Sequence, residues 1–233
     1  MGVPIMLKDI LTKYQSSFQP VIALLEPAEP LLAMDFTRKN DALTTSILHD
    51  IDKFCTYIQQ TLNNNGYRLG IGGYGEHRTI YAVSPHFDAG EEPRRLHLGT
   101  DVWGDAGTPV FVPLNGHVHS FRFNDHFGDY GATIILQHTL DGCTFHTLYG
   151  HLSLSNLQGL YENMPVIAGQ QLAWFGLPAE NGGWPPHLHF QVIEDIGAHR
   201  GDYPGVCRYS ERDKYLRNCP DPDLILQMNR YIR

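Results

Sequence analysis

Three histidines and one aspartate have the types and the spacing of a metal-centred hydrolytic site. His97 and Asp101 are four residues apart, and His187 and His189 are two residues apart. Even spacings place side chains on one face of an extended strand, so each pair converges if its segment is a strand. Two histidines and an aspartate match the pattern of catalytic zinc, which uses three protein ligands and keeps a fourth position open.

A second His-x-His pair, His117 and His119, has the same spacing as His187 and His189. Spacing alone does not choose between the two pairs. Each histidine taken singly is more often a surface or hydrogen-bonded side chain than a metal ligand. From the spacing, the identity of the histidine pair therefore stays open.

Other catalytic motifs are missing from the sequence or stand in the wrong context. The run GIGGYG at residues 70–75 has the glycine spacing of a dinucleotide-binding loop, but no clear strand precedes it and a strand is predicted at 79–83 where a helix is needed. We interpret it as a glycine-rich turn. Cys143 and His146 would point to opposite faces of a strand, which argues against a thiol nucleophile.

The composition is that of a folded, acidic protein. The chain has 233 residues, of which 42% are hydrophobic and 18% charged, and this is enough for one sizeable core. Its formal net charge of −8 argues against binding to nucleic acid or to an anionic surface, because both need a clustered basic face. No apolar stretch has the length of a membrane span. We expect no nucleic-acid partner and no membrane span.

The cysteines and the first residues bear on the location of the protein. Cys55, Cys143, Cys207 and Cys219 form no Cys-x-x-Cys pair and no zinc-ribbon spacing, so we interpret them as free thiols. The first residues lack a basic segment followed by an apolar run, which is the pattern of an export signal. We therefore expect a cytoplasmic protein, or a periplasmic or secreted one if a leader has been removed.

The elements that position the candidate ligands fall into three segments. Residues 1–66 show helical periodicity, and we predict an N-terminal helical segment packed on the core. Residues 67–196 contain short β-prone runs between turn signals, and we predict an antiparallel β domain. Residues 197–233 are predicted as a loop with a closing helix near 222–231. The predicted fold class is α+β, mainly β: an antiparallel sheet core with an N-terminal helical segment.

Four sequence blocks follow one another between residues 97 and 190: HLGTDVWGDAGTPV (97–110), NGHV (115–118), LYGHLS (148–153) and PHLHF (186–190). In their order and intervals these blocks resemble the lysostaphin-type (LytM-like) zinc endopeptidases, which are peptidoglycan endopeptidases. The similarity covers roughly residues 96–192 and includes VIAGQQ (166–171), which resembles the family's lead-in to a strand. Four blocks in register form a specific signal.

This resemblance implies a role for each candidate residue. It implies that His97, Asp101 and His189 bind Zn²⁺, and that His151 and His187 form a catalytic pair that does not hold the metal. An imidazole suits the removal of a proton near neutral pH, and which of the two histidines acts as the base stays open.

The remaining histidines of the similar region are expected to lie outside the zinc site. His117 and His119 fall where the family has an ordinary strand, and they receive no role. His138 is expected to be either a structural side chain or a partner of a zinc ligand, and the sequence does not choose between the two.

The implied function is that of a zinc metallopeptidase that hydrolyses amide bonds in short peptides, with the stem or cross-link peptides of peptidoglycan as the family substrate. The approach to the last block, ENGGWPP (180–186), departs from the family pattern, as does Gln191 after the phenylalanine, where the family often has an acidic residue. Trp184 and the two prolines are expected to narrow the groove. Two alternatives remain: an intracellular peptidase or amidase that acts on small non-wall peptides, and a non-catalytic binding module on the same fold.

Overall fold

A computed structural model describes residues 6–25, 29–78, 80 and 92–233 of the chain. The helices are α1 (Leu7–Tyr14), α2 (Thr45–Leu48), α3 (Ile51–Asn64), α4 (Arg212–Asn218) and α5 (Asp223–Leu226). The strands are β1 (Leu32–Met34), β2 (Gly70–Gly72), β3 (Arg94–His97), β4 (Thr100–Trp103), β5 (Pro109–Phe111), β6 (Gly116–Asn124), β7 (Gly131–Leu140), β8 (Cys143–Leu152), β9 (Pro165–Val166), β10 (Gln171–Trp174), β11 (His187–Ile193) and β12 (Val206–Arg208). Among the described helices, none has both the length and the apolar content that crossing a bilayer requires.

An eight-stranded sheet with the order β1-β2-β4-β11-β8-β7-β6-β9 organises the fold. Its neighbours pair antiparallel, except that β1 runs parallel to β2. Two smaller ribbons, β10 with β5 and β12 with β3, accompany it. The prediction of a mainly β fold with an antiparallel core and an N-terminal helix is confirmed.

The two faces of β11 have different surroundings, because successive side chains of a strand point to opposite faces. Leu188, Phe190 and Val192 lie in the hydrophobic core cluster that also contains residues of α1. His187 and His189 alternate with them and therefore lie on the other face of the sheet. The strand thus anchors one face in the core and presents its histidines on the other.

The N-terminal segment differs from the prediction in two places. Leu32–Met34 forms a strand at the edge of the sheet, where a helical segment was predicted. The apolar stripe at residues 43–62 is divided into α2 and α3, and the carboxylate of Asp50 accepts a hydrogen bond from the Lys53 amide at 3.2 Å as the N-cap of α3. Local periodicity could show neither the cap nor the pairing with a distant strand.

The interpretation of residues 70–75 as a turn is wrong for its first half, since Gly70–Gly72 forms β2. A Cβ atom at Gly70 would lie 2.7 Å from Cγ of Met34, so glycine allows β1 and β2 to pack closely. A turn follows at residues 74–75. The strand predicted at 79–83 lies, apart from Ile80, outside the described residues.

The C-terminal segment is more ordered than the predicted loop. Val206–Arg208 forms β12 and pairs with β3, so that Val206 is opposite His97. Arg212–Asn218 is helical, and the predicted closing helix is short, with its bounds at Asp223–Leu226. The tail packs against β3, whose open edge it covers, and this tertiary contact has no local sequence signal.

Candidate active site

His97, Asp101 and His189 form one buried cluster whose ligand atoms all lie within 4.8 Å of one another. Nε2 of His97 is 3.0 Å from Nδ1 of His189. Oδ1 of Asp101 is 3.3 Å from the first of these nitrogens and 3.0 Å from the second. Donor atoms of a tetrahedral zinc ion are about 3.3 Å apart, given zinc–ligand distances near ~2.0 Å. The spacing therefore fits a metal ion with this coordination.

The register of the sheet brings the cluster together. Asp101 on β4 is directly opposite His189 on β11, and directly opposite residues of an antiparallel pair share a face. Gly99 lies beside them, where an added Cβ atom would be 2.5 Å from Nε2 of His189. The absence of a side chain at Gly99 thus makes room for the His189 ring.

Hydrogen bonds fix which nitrogen of each ring can bind a metal. Nδ1 of His97 is 3.1 Å from the carbonyl oxygen of Gly73, and Nε2 of His189 is 2.9 Å from Oε1 of Gln191. Both partners are acceptors, so these nitrogens carry the protons. Nε2 of His97 and Nδ1 of His189 then keep their lone pairs toward Asp101, as in other metal sites whose histidines are oriented by a second hydrogen bond.

The charges in the cluster also suit a cation. Burial, with a contribution from the Arg78 guanidinium, lowers the pKa of His97 to about 3, so the ring is neutral at pH 7. Burial alone would raise the pKa of Asp101, but His97 and Arg78 hold it well below its usual range. A neutral imidazole beside an ionised carboxylate is the protonation state that metal binding requires.

His151 and His187 lie beside this cluster, with ring centroids 4.1 Å apart. Nδ1 of His151 is 2.7 Å from the carbonyl oxygen of Asn181, and Nδ1 of His187 is 2.7 Å from that of Pro185. Each ring therefore donates through Nδ1 and keeps Nε2 as the nitrogen that can accept a proton. His151 has a φ of 62°, a left-handed conformation that is uncommon outside glycine.

The protonation of this pair is set by burial. Burial lowers the pKa of His187 to about 4. Burial also holds the pKa of His151 well below its usual range, and charge repulsion from His187 lowers it further. Both rings are neutral at pH 7. Two neutral imidazoles with free Nε2 atoms can take up a proton, and the imidazolium so formed can donate a hydrogen bond to a developing negative charge.

Asp101 and His189 of the cluster line one cavity of about 160 Å³ together with His151 and His187. Its wall includes Tyr130, Trp184 and Tyr203 beside the histidines. Trp184 is 7% exposed and packs edge-on against Phe54 of α3, with ring centroids 6.4 Å apart. It thus joins α3 to the wall of the cavity, and the expectation that it narrows the groove stays a prediction.

The other histidines of the sequence analysis lie elsewhere. His119, on β6, has Nδ1 2.8 Å from the Ser120 hydroxyl and its ring beside His146. Nδ1 of His138 is 3.0 Å from the Asn115 carbonyl oxygen, and its Nε2 is 2.8 Å from the Thr147 hydroxyl. Neither His119 nor His138 is in the group that could hold a metal.

Two residues of the site were missed by the sequence analysis. Gln191 orients His189, although it was noted only as a departure from the family pattern. Arg78, which is fully buried, donates a hydrogen bond from Nη1 to Oδ2 of Asp101. The position of Gln191, two residues after His189 on a strand, could have shown that it lies on the same face. The sequence carries no signal for Arg78, which is 23 residues from its partner.

Comparison with known proteins shows a family similarity in the segment that carries this site. Residues 95–200 match the family described as peptidase family M23. This segment is therefore similar to M23 peptidase domains, and the resemblance to lysostaphin-type peptidases is confirmed.

Two curated relatives and one solved structure specify the similarity. The peptidoglycan DD-endopeptidase ShyA of Vibrio cholerae is 32% identical over 122 residues, which are 48% of this chain and 25% of that protein. The L-Ala–D-Glu endopeptidase of Bacillus subtilis is 27% identical over 160 residues, 66% of this chain and 46% of that protein. The catalytic domain of lysostaphin from Staphylococcus simulans is 25% identical, with a TM-score of 0.41 over 68% of this chain and 97% of that domain. The chain thus spans less than half the length of either curated relative.

Proposed function

We propose that the chain is a zinc-dependent endopeptidase that hydrolyses amide bonds in short peptides of peptidoglycan. The observation that carries the proposal is the convergence of Nε2 of His97, Oδ1 of Asp101 and Nδ1 of His189 at mutual distances of 3.0–3.3 Å. These three residues are the proposed zinc ligands, and His151 and His187 are the proposed catalytic pair.

The donor set supports zinc in particular. Two imidazole nitrogens and one carboxylate oxygen form a borderline-soft set that suits zinc better than calcium or magnesium, which prefer oxygen ligands. When bound, zinc supplies Lewis acidity, which polarises the scissile carbonyl and lowers the pKa of a water molecule toward ~7. Because Asp101 is the only ionised ligand of the proposed set, a Zn²⁺ ion with its three ligands would keep a net positive charge. This charge favours the ionisation of bound water and the polarisation of the carbonyl group.

The neutral histidines supply proton transfer. One of His151 and His187 accepts the proton of the attacking water through its free Nε2, since no carboxylate of the proposed ligand set remains for this task. Once the pair holds this proton, it can donate a hydrogen bond from Nε2 to the oxygen of the scissile carbonyl as negative charge develops there. The carbonyl oxygens of Asn181 and Pro185 keep both rings in place through their Nδ1 atoms.

The substrate class is supported by the two curated relatives, whose names specify peptidoglycan and an L-Ala–D-Glu bond. The small cavity, of about 160 Å³, favours an extended, flexible peptide over a folded protein. Because the relatives extend well beyond the part that this chain covers, intact cell wall and soluble wall fragments are both to be tested. The cytoplasmic location expected from the first residues stays a prediction.

The test is to incubate the zinc-loaded protein with purified cell wall, soluble muropeptides, glycine-rich peptides and unrelated short peptides, and to follow new amino groups by mass spectrometry. We expect cleavage of wall-derived peptides, and no cleavage by an Asp101→Asn control. Cleavage of unrelated peptides alone would favour a general intracellular peptidase. If no substrate is cleaved while zinc is bound, the binding-module alternative replaces the enzyme.

A further inference from the structure

A buried arginine from outside the M23-like segment contacts the proposed zinc site. Arg78 precedes the residues 95–200 that match the family, and its side chain is 0% exposed. Its Nη1 donates to Oδ2 of Asp101, and its Nε donates to Oε2 of Glu76 at 2.7 Å. The guanidinium thus lies between two carboxylates, and one of them is a proposed zinc ligand.

Phe36, Glu76 and Gly72 lie around the Arg78 guanidinium. The guanidinium lies over the ring of Phe36, with Cζ 5.2 Å from the centroid. Oε1 of Glu76 accepts a hydrogen bond from the Phe36 amide at 3.3 Å. An added Cβ atom at Gly72 would lie 3.0 Å from Nη2 of Arg78. Burial of a guanidinium is costly unless its geometry is satisfied, so this environment selects a specific orientation of the side chain.

In this orientation the two carboxylate oxygens of Asp101 have different partners. Oδ2 accepts from Arg78, whereas Oδ1 faces Nε2 of His97 and Nδ1 of His189. Because Nε of the same planar guanidinium is held by Glu76, its Nη1–H points in a fixed direction and limits rotation of the Asp101 carboxylate. Gly73, which also precedes residue 95, orients His97 through its carbonyl oxygen. Two of the three proposed ligands are therefore oriented by residues that precede the M23-like segment.

We propose that Arg78 is a positioning residue that holds Oδ2 of Asp101 and thereby presets Oδ1 for the metal. The inference rests on the proposed function, because it requires that Asp101 binds the metal. It gives the chain before residue 95 a role in the site, since Gly73 and Arg78 complete the environment of the proposed zinc ligands.

The direction in which removal of Arg78 changes the metal affinity distinguishes a positioning role from a purely electrostatic one. If Arg78 acts only as a nearby positive charge, its removal reduces repulsion and tightens the binding of a cation. If it positions Asp101, its removal weakens binding, and the loss of a group that orients a ligand typically costs about 10- to 100-fold in metal affinity. The two roles thus predict changes in opposite directions.

The experiment measures zinc affinity of the full chain by competition with a chelator. Arg78→Met removes the guanidinium but leaves the Glu76 carboxylate without its ion-pair partner. The double variant, Arg78→Met with Glu76→Gln, removes that carboxylate as well. Arg68→Met is the matched control, because it breaks the ion pair with Glu29 in the same N-terminal part of the chain, at 2.7 Å. Melting temperatures of the metal-free proteins report the structural effect of each change.

We expect about 10- to 100-fold weaker zinc binding in both Arg78 variants and unchanged binding in the Arg68 control. Unchanged or tighter binding in the folded double variant overturns the positioning role, even if its melting temperature is lower. If the wild type binds zinc and His189→Ala leaves that binding intact, the proposed metal site itself is wrong, and the inference is overturned with it.

Discussion

The imidazole of His187 stacks on the indole of Trp103, with ring centroids 4.0 Å apart and planes 13° from parallel. The two residues are directly opposite each other on β11 and β4. Phe36 packs against Trp103 with its centroid 4.9 Å away. With the Pro185 carbonyl at Nδ1, this stack restricts the His187 ring to one orientation, which a proton-transfer group needs.

Replacement of Trp103 is therefore expected to impair turnover without removing the metal. Trp103→Leu should lower kcat by about 10-fold, because loss of positioning in an active site costs one or two orders of magnitude. Trp103→Phe keeps a ring against His187 and should lose less. Steady-state kinetics with zinc content measured on the same samples check this. Equal kcat values for the Leu and wild-type enzymes would show that the stack does not position His187.

Loss of either proposed catalytic histidine should separate metal binding from turnover. His187→Ala and His151→Asn are expected to keep zinc and to lose roughly 10²- to 10⁴-fold in rate. Asparagine is chosen at position 151 because it tolerates the φ of 62° better than alanine does. The measurement is kcat beside zinc stoichiometry. Near-normal turnover in one variant would remove that histidine from the mechanism.

The sequence allowed much of this site to be predicted, because its residues recur at strand spacing in blocks with a family pattern. Asp101 and His189 are 88 residues apart, but the even spacing within each block already placed their side chains on defined faces. Arg78 and the edge strand β1 could not be predicted in this way. Both depend on pairings between distant segments, and a short apolar run or a single arginine specifies no partner by itself.

The third prediction concerns Gln191, whose Oε1 accepts a hydrogen bond from Nε2 of His189. Gln191→Leu removes the oxygen that lies 2.9 Å from this nitrogen, so the ring is free to change tautomer and orientation. Zinc affinity should fall by about 10- to 100-fold. Gln191→Glu keeps an acceptor and serves as the control. The affinities come from chelator competition, and equal values for Leu and wild type would contradict an orienting role of Gln191.

The buried His138 makes stability depend on pH. Burial lowers its pKa to about 4, whereas a histidine in the unfolded chain has a pKa of about 6.5. Between these values the unfolded state binds a proton that the folded state does not. The free energy of unfolding therefore falls as the pH decreases through this window, by on the order of 3 kcal/mol from this residue.

His138→Gln should flatten this dependence. The variant is expected to be less stable at pH 7, since it loses the contacts with Asn115 and Thr147, but to lose less further stability between about pH 6.5 and 4. Urea unfolding at several pH values gives both quantities. A slope identical to that of the wild type would mean that His138 does not titrate in this window.

Metal content of the purified protein tests the central claim most directly. We expect one zinc ion per chain in the wild type, strongly reduced occupancy in His97→Ala, Asp101→Ala and His189→Ala, and full occupancy in His119→Ala, which changes the other His-x-His pair. Elemental analysis after dialysis against metal-free buffer provides the measurement. A site that His119→Ala empties and His189→Ala leaves filled would contradict the account.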